Sequence, residues 1–269
     1  MNALHKAMTI AGSDTSGGAG MAADLKTFEE LNVYGMTALT VIVAQNPHNA
    51  WDHEIFPIEL SVVEKQLETI LAGIGIDAMK TGMLGSAELV ELVARTIDRF
   101  QLKNVVIDPV MVCKGIDTIM VPDAAAAIKQ LLIQRADVIT PNTLEAAYLA
   151  GMPQVKTLDE IKEAAGRIKE LGAKYVVIKG GERMENDEAI DVLYDGKEFT
   201  EMAEKKIYPS YNHGAGCTYS AAITAGLANG LSVPEAVFQA KKFITAALRH
   251  SFVLNQYSGC TNHTAFRRY

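Results

Sequence analysis

Asn212-His213-Gly214-Ala215-Gly216-Cys217-Thr218-Tyr219-Ser220 puts two glycines and a thiol where a loop runs into a helix of small residues. A helix start aims its backbone N–H groups, and the positive end of its dipole, at whatever lies in front of it. Glycine at 214 and 216 lets the backbone approach an anion with no Cβ in the way. A cysteine at such a start has its thiolate stabilised and its pKa drawn down. The stretch reads as an anion pocket holding a nucleophile-type side chain. Taken alone it is equally a tight helix entry over a packed cysteine, since free cysteine is among the most buried residue types.

Outward from this helix, short β-branched runs at 7–11, 37–44, 78–82, 104–110, 137–140 and 174–179 alternate with amphipathic stretches. That alternation predicts a mostly parallel sheet covered by helices on both faces. Capping-box spacings at Ser61-Val62-Val63-Glu64, Thr157-Leu158-Asp159-Glu160 and Ser232-Val233-Pro234-Glu235 mark helix starts, and the last long helix is expected over about 234–251. Segments 191–194 and 197–207, joined by Asp195-Gly196, read as an edge hairpin. In an open α/β sheet, ligands sit at the carboxyl ends of the strands, and every candidate motif here falls at such a place.

The composition narrows the class. With 269 residues and 49% hydrophobic content, the chain can bury a full core, and a single domain over 1–269 is the simplest expectation. A net charge of −7 and a pI near 5.4 argue against nucleic-acid binding. No apolar run is long enough for a membrane span and no signal-peptide core follows Met1, so a cytoplasmic protein with no membrane partner is expected. Cys113, Cys217 and Cys260 form no C-x-x-C pair and suggest neither zinc nor a disulfide framework.

The first strand empties into Gly12-Ser13-Asp14-Thr15-Ser16-Gly17-Gly18-Ala19-Gly20, a loop able to hug a ligand but with neither the Rossmann nor the P-loop spacing. Asp24 follows on a helix, either facing a ligand hydroxyl or ring nitrogen or simply favoured near a helix start. Gln45 ends another strand and offers donor and acceptor to a heteroaromatic edge or to backbone. Lys80 reads as a partnered strand-end lysine and Met83 as core. Asp108 is either a strand-end cap or an orienter of Mg²⁺ through water, and Cys113 sits on the apolar flap behind it. Thr140-Pro141-Asn142-Thr143-Leu144-Glu145 has capping spacing, with Asn142 as N-cap and Glu145 at N3; the functional alternative has Glu145 holding a metal-bound water. Lys179-Gly180-Gly181 is a further strand-to-glycine turn, either a plain β-turn or a nucleotide edge.

In this order these motifs resemble the ribokinase-like superfamily, and within it the branch of hydroxymethylpyrimidine and pyridoxal kinases, over essentially the whole chain. The fold so implied is a three-layer α/β/α with a mostly parallel central sheet. Sugar-kinase members carry an aspartate base where Cys217 stands, which disfavours a sugar substrate. The pair Cys113 and Cys217 looks most like the bacterial pyridoxal kinases with two cysteines, whereas the branch's usual Gly-Gly-His reads Gly180-Gly181-Glu182 here.

The resemblance implies MgATP-dependent phosphorylation of the hydroxymethyl group of pyridoxal, pyridoxine or pyridoxamine in vitamin B6 salvage, and also of hydroxymethylpyrimidine. The Gly214–Cys217 N–H groups would form the phosphoryl pocket, with Cys217 as base and Cys113 sharing the proton or shielding the site. Thiolate capture of the pyridoxal aldehyde is a second role for a thiol. Gly18, Gly20, Asp24, Gln45 and Met83 would frame the ring, with the loop 46–51 closing over it. Asn142, Lys179, Gly181, Glu188, His213, Gly214, Gly216 and Lys242 would serve the nucleotide, and Glu145 and Asp108 the Mg²⁺. A homodimer is expected. A dedicated hydroxymethylpyrimidine kinase of thiamine synthesis and a non-catalytic B6-binding protein remain the alternatives.

Overall fold

A computed structural model describes residues 4–111, 119–184, 187–209 and 211–268. In chain order the elements are β1 (His5–Asp14), α1 (Gly20–Glu30), β2 (Val33–Asn46), β3 (Asp52–Pro57), α2 (Leu60–Gly73), β4 (Ala78–Thr81), α3 (Ala87–Arg99) and β5 (Val105–Ile107). There follow α4 (Pro122–Ala127), β6 (Val138–Ile139), α5 (Thr143–Ala150), α6 (Leu158–Glu170), β7 (Tyr175–Lys179), β8 (Glu188–Tyr194) and β9 (Phe199–Lys205). The chain ends with α7 (Ala215–Ala228), α8 (Val233–Arg249), β10 (Phe252–Val253), β11 (Gly259–Cys260) and α9 (Ala265–Arg268). They group into two compact units, 1–85 with 209–269, and 86–208.

In the first unit β1 pairs in parallel with β2 and with β4, and β3 adds an antiparallel edge to β2. Met8, Ile10 and Ala11 of β1 are completely buried, as expected of a parallel strand covered on both faces. The β1–β2 register shifts between Ala11 and Ser13. This bulge falls at Gly12, where a Cβ would lie 2.7 Å from Val41 Cγ2, and it redirects the strand end that carries Asp14. Helix α7 is small, apolar and buried along most of its length, the pattern of a helix enclosed on all sides. Its closeness to α8 depends on Gly226, whose Cβ would sit 2.8 Å from Ala236 Cβ.

In the second unit β5, β6 and β7 run parallel, and β8 and β9 continue antiparallel. Val106, Ile107, Val138, Ile139, Val176, Val177 and Ile178 form its strand core. Asn142 caps α5 and Thr157 caps α6, each with the reciprocal glutamate three residues on. At α8, Glu235 accepts from both the N–H and the hydroxyl of Ser232.

Three local expectations change. Helix α2 starts at Leu60 with Glu59 at the cap, so Ser61 lies inside the first turn and caps nothing. β3 was not anticipated, because Asp52-His53-Glu54-Ile55-Phe56-Pro57 is polar at its start, ends in proline and is mostly exposed. The last long helix spans Val233–Arg249 and the hairpin strands are Glu188–Tyr194 and Phe199–Lys205. No helix among the described residues is long and apolar enough to cross a membrane.

Candidate active site

In the first unit, Asp14 organises the glycine loop. Its Oδ1 accepts from Ser16 N at 2.8 Å and from Gln45 Nε2 at 2.8 Å, and its Oδ2 accepts from Ala19 N at 3.1 Å. His213 Nε2 lies 2.5 Å from the same Oδ2. Burial alone would raise the Asp14 pKa, but the bonds from His213, Ser16 and Gln45, with the charge of His213, outweigh it and hold the carboxyl well below the usual range. Lys26 Nζ fixes the loop from the far side by donating to Gly17 O at 2.6 Å.

The loop turns at Gly17 and Gly20, both with positive φ, and a Cβ on Gly20 would run into the Gly12 carbonyl. A Cβ on Gly18 would strike Cys260 Sγ and the His213 ring. Gly214 is the N-cap of α7 at φ +81, and its missing Cβ would overlap the Gly18 carbonyl. The two glycine segments therefore meet backbone to backbone. Ala215 N–H turns to Asn212 O at 3.0 Å, so the expected anion pocket rests on Gly214, Gly216 and Cys217. Cys217 is half-buried in the first turn.

Asp24 does not lie open to a ligand as expected. It is fully buried, and its Oδ2 accepts from Thr9 Oγ1 at 2.6 Å and pairs with Lys80 Nζ at 2.9 Å. Lys80 is equally buried, so the strand-end lysine is partnered. Met83 is half-buried and its carbonyl accepts from Thr40 Oγ1 at 2.7 Å. Lys242 is exposed on α8 with Nζ 4.6 Å from the Phe238 ring centroid. At the tip of the β2–β3 turn, Trp51 stacks on Tyr257 with centroids 6.3 Å apart.

The second unit holds the carboxylates. Asp108 is buried, and its Oδ1 accepts from Thr140 Oγ1 at 3.1 Å and from Lys179 Nζ at 2.9 Å. Glu145 closes the capping box with Asn142 N at 2.9 Å and reaches Met111 N with its other oxygen at 3.3 Å. Burial pushes its pKa up to about 7, with the Asp108 charge adding and Lys179 opposing. Asn142 and Lys179 face each other across a parallel bridge. Gly180 N donates to buried Asp191 at 3.0 Å, and Gly181 adopts φ +57. Glu188 is exposed opposite Lys205. Cys113 falls outside the described residues.

Among the described residues no three His, Cys, Asp or Glu side chains cluster to hold a metal. Two buried carboxylates, Asp108 and Glu145, nonetheless suit Mg²⁺, which keeps waters and takes only one or two carboxylates besides substrate phosphates. Asp14, Ser16, Lys26, Thr140 and His263 escape a reading by motif. Asp14 lay inside the glycine stretch, but its partner is 199 residues away.

Residues 14–262 match the family model for phosphomethylpyrimidine kinase. The chain belongs to this family. The family member is 57% identical over 264 residues to a pyridoxine kinase of Bacillus subtilis strain 168, covering 98% of this chain and 97% of that one. It is 41% identical over 265 residues to the hydroxymethylpyrimidine/phosphomethylpyrimidine kinase of the same strain, covering 98% and 97%. Among solved structures it is similar to an ADP complex of B. subtilis pyridoxal kinase, with TM-score 0.96, 57% identity, and 98% and 99% of the two chains covered. The pyridoxal kinase of Staphylococcus aureus in complex with AMP-PCP and pyridoxal gives TM-score 0.93 at 44% identity over 99% and 96%. The family member thus has the expected ribokinase-like α/β fold with mostly parallel strands.

Proposed function

We propose that this chain transfers the γ-phosphoryl of MgATP to the hydroxymethyl group of pyridoxal, pyridoxine and pyridoxamine, and also of hydroxymethylpyrimidine, and that it works as one kinase domain over 1–269. The observation that carries this is the contact of Gly18 with Gly214: the loop suited to an aromatic alcohol and the loop suited to an anion share a wall. The 57% identity to a pyridoxine kinase supports the vitamin as the preferred acceptor.

Phosphoryl transfer asks the protein for positioning and charge neutralisation more than for covalent work. Gly18, Gly20 and Met83 frame the ring. Gln45, whose amide nitrogen is spent on Asp14, presents its carbonyl oxygen to a ring substituent, and Asp24 with Lys80 supports the loop from beneath. Cys217 as thiolate accepts the hydroxyl proton, the alcohol oxygen bonds to the γ-phosphorus, and the bond to the β–γ bridging oxygen breaks, releasing ADP. Gly214, Gly216 and Cys217 N–H groups stabilise the charge on the moving phosphoryl. Asn142, Lys179, Gly181, Glu188, His213 and Lys242 are the residues proposed to serve the nucleotide. Asp108 and Glu145 are the residues that would hold Mg²⁺, which when bound would supply positive charge to offset that of the phosphates.

Side-by-side turnover of pyridoxal, pyridoxine and hydroxymethylpyrimidine tests the reading. The expected order places pyridoxal first; turnover of hydroxymethylpyrimidine alone would instead establish a dedicated pyrimidine kinase, which the 41% identical relative favours as second reading. Vitamin binding without ATP consumption would leave only a ligand-binding protein.

A second copy of the chain is the proposed partner. Ile42 and Phe56 are cross-strand neighbours on β2 and β3, so they share one face of the sheet, and both are exposed. An apolar face of this kind on an edge strand suits self-association. Phe56→Glu should convert a dimer to a monomer in sedimentation analysis.

A further inference from the structure

The segment 259–263 belongs to neither glycine loop yet touches both. Gly259 O accepts from His213 N at 3.1 Å and Thr261 N donates to His213 O at 3.4 Å, so Cys260 runs as a parallel bridge beside His213. Buried Cys260 fills the space that Gly18 leaves by lacking a Cβ. Asn262 N ties the segment to α8 through Ala247 O at 3.0 Å. Then His263, only 6% exposed, places Nε2 3.0 Å from Thr218 Oγ1. Thr218 is completely buried, follows Cys217 directly, and donates its N–H to Gly214 O at 2.9 Å.

His263 thus grips the first turn of α7 from behind, at the residue that ties that turn to its glycine cap. Burial, then the Lys26 charge, pushes its pKa down to about 4 against the opposing Glu30, so at neutral pH the ring is uncharged. A neutral imidazole nitrogen can donate to the threonine hydroxyl or accept from it, according to tautomer. An apolar residue could fill the same volume but could not fix the hydroxyl rotamer, and so could not fix the backbone it belongs to.

We propose that His263 is a positioning residue of the phosphoryl pocket, acting through Thr218 to hold Gly214–Cys217 in place, and that 259–263 is the wall against which both glycine loops are set. The inference rests on the assignment of Gly214–Cys217 to the migrating phosphoryl.

Thr218→Val, His263→Leu and His263→Gln, with the double variant Thr218→Val/His263→Leu, test it in the full chain. Removing either partner should lower kcat about 10–100-fold while KM for pyridoxal and for ATP stays within about twofold. His263→Gln, which keeps a donor and an acceptor, should restore most of kcat, and the double variant should be no worse than the worse single one. A second readout needs no turnover: alkylation of Cys217 by iodoacetamide, followed by peptide mass spectrometry across pH, should shift to higher pH in Thr218→Val and His263→Leu. The proposal is overturned by additive losses, by an unmoved Cys217 profile, or by a folded Thr218→Val with wild-type kcat. If His263→Leu does not fold, Thr218→Val decides alone. Should the wild-type enzyme phosphorylate no vitamin, the functional reading fails, and the alkylation profile still decides this one.

Discussion

His213 Nε2 and Asp14 Oδ2 lie 2.5 Å apart across 199 residues of sequence, and this single contact sews the glycine loop after β1 to the start of α7. Asp14 carries three further donors, from Ser16, Ala19 and Gln45, so its removal strands a hub rather than one bond. Removing one partner of a buried pair typically costs about 3–5 kcal/mol. Asp14→Ala should accordingly lose several degrees of melting temperature and about a hundredfold in kcat/KM for pyridoxal. Because the folded pKa of Asp14 is depressed, the stability it contributes is present above the unfolded pKa near 4 and is lost as pH falls toward the folded value. Melting curves below pH 4 should steepen in the wild type more than in Asp14→Asn; equal slopes would contradict the hub assignment.

Gly18 and Gly214 are required for different reasons. At Gly214 both the positive φ and the Gly18 carbonyl forbid a Cβ, whereas at Gly18 the obstacles are side chains, Cys260 and His213. Gly214→Ala should abolish turnover and resist any second-site rescue. Gly18→Ala should be destabilised by about 1–3 kcal/mol through overpacking, and Cys260→Gly should relieve part of that loss. Thermal melts of the two singles and the double Gly18→Ala/Cys260→Gly check this, and strict additivity would show that the two sites do not share space.

The proposed base, Cys217, allows chemistry to be separated from binding. Loss of a general base typically costs about 10²–10⁴ in rate, so Cys217→Ala should lose kcat within that range while KM for pyridoxal moves little. Cys113→Ala should reduce pyridoxal turnover more than hydroxymethylpyrimidine turnover, because only the aldehyde can add a thiolate at carbon, with the proton passing to the new alkoxide. Retention of most wild-type turnover in Cys217→Ala would remove the base assignment, and equal losses on both substrates in Cys113→Ala would remove the aldehyde selection.

The alternation of strands and helices, the caps at Asn142, Thr157 and Ser232, and the glycine turns were legible because each is set by residues within a few positions of one another. Glu145 shows how close the local and functional readings lie: it is a capping-box partner of Asn142 and a buried carboxylate beside Asp108 and Lys179, and the spacing could show only the first. The burial of Asp24 against Lys80 was hidden for another reason. Thr9, Asp24 and Lys80 come from β1, α1 and β4, and only the parallel register that sets Thr9 against Lys80 brings them together. β3 escaped because an exposed edge strand needs no apolar alternation.

Lys179 offers a test of the carboxylate pair. It compensates Asp108 at 2.9 Å and is only 14% exposed on its side chain, so Lys179→Met leaves two buried acidic groups without their cation. Stability without nucleotide should fall, and Mg²⁺ alone should restore more of it than in the wild type, because the ion then replaces the lost lysine charge beside Asp108 and Glu145. Glu145→Gln keeps an acceptor for Asn142 N but removes one charge, and should raise the Mg²⁺ concentration needed for half-maximal turnover about 10–100-fold. Differential scanning with and without Mg²⁺ reads the first effect and a metal titration of rate reads the second. Indifference of both variants to Mg²⁺ would move the metal site away from these residues.

His263 makes stability depend on pH between its unfolded and folded pKa values. Its folded pKa of about 4 lies below the usual 6.5, chiefly through burial and then through Lys26. Between those values the unfolded chain's histidine binds a proton that the folded one does not, so its contribution to stability is fully present above pH 6.5 and is lost as pH falls toward 4. The gap corresponds to about 3 kcal/mol at one pKa unit per about 1.4 kcal/mol. Depressed carboxylates such as Asp14 act below that window, whereas buried Glu145, raised to about 7, takes up its proton within it and stabilises the fold as pH falls, so the effect of this histidine is read as the difference between the wild type and His263→Gln. Across the interval from pH 6.5 to 4.5 the midpoint of urea unfolding of the wild type should fall relative to that of His263→Gln, which cannot titrate at this position. Glu30 opposes the shift, so Glu30→Gln should enlarge the His263 contribution, and midpoints of the wild type and His263→Gln that run parallel from pH 6.5 to 4.5 would mean that the imidazole is protonated in the fold and cannot hold Thr218 as a neutral partner.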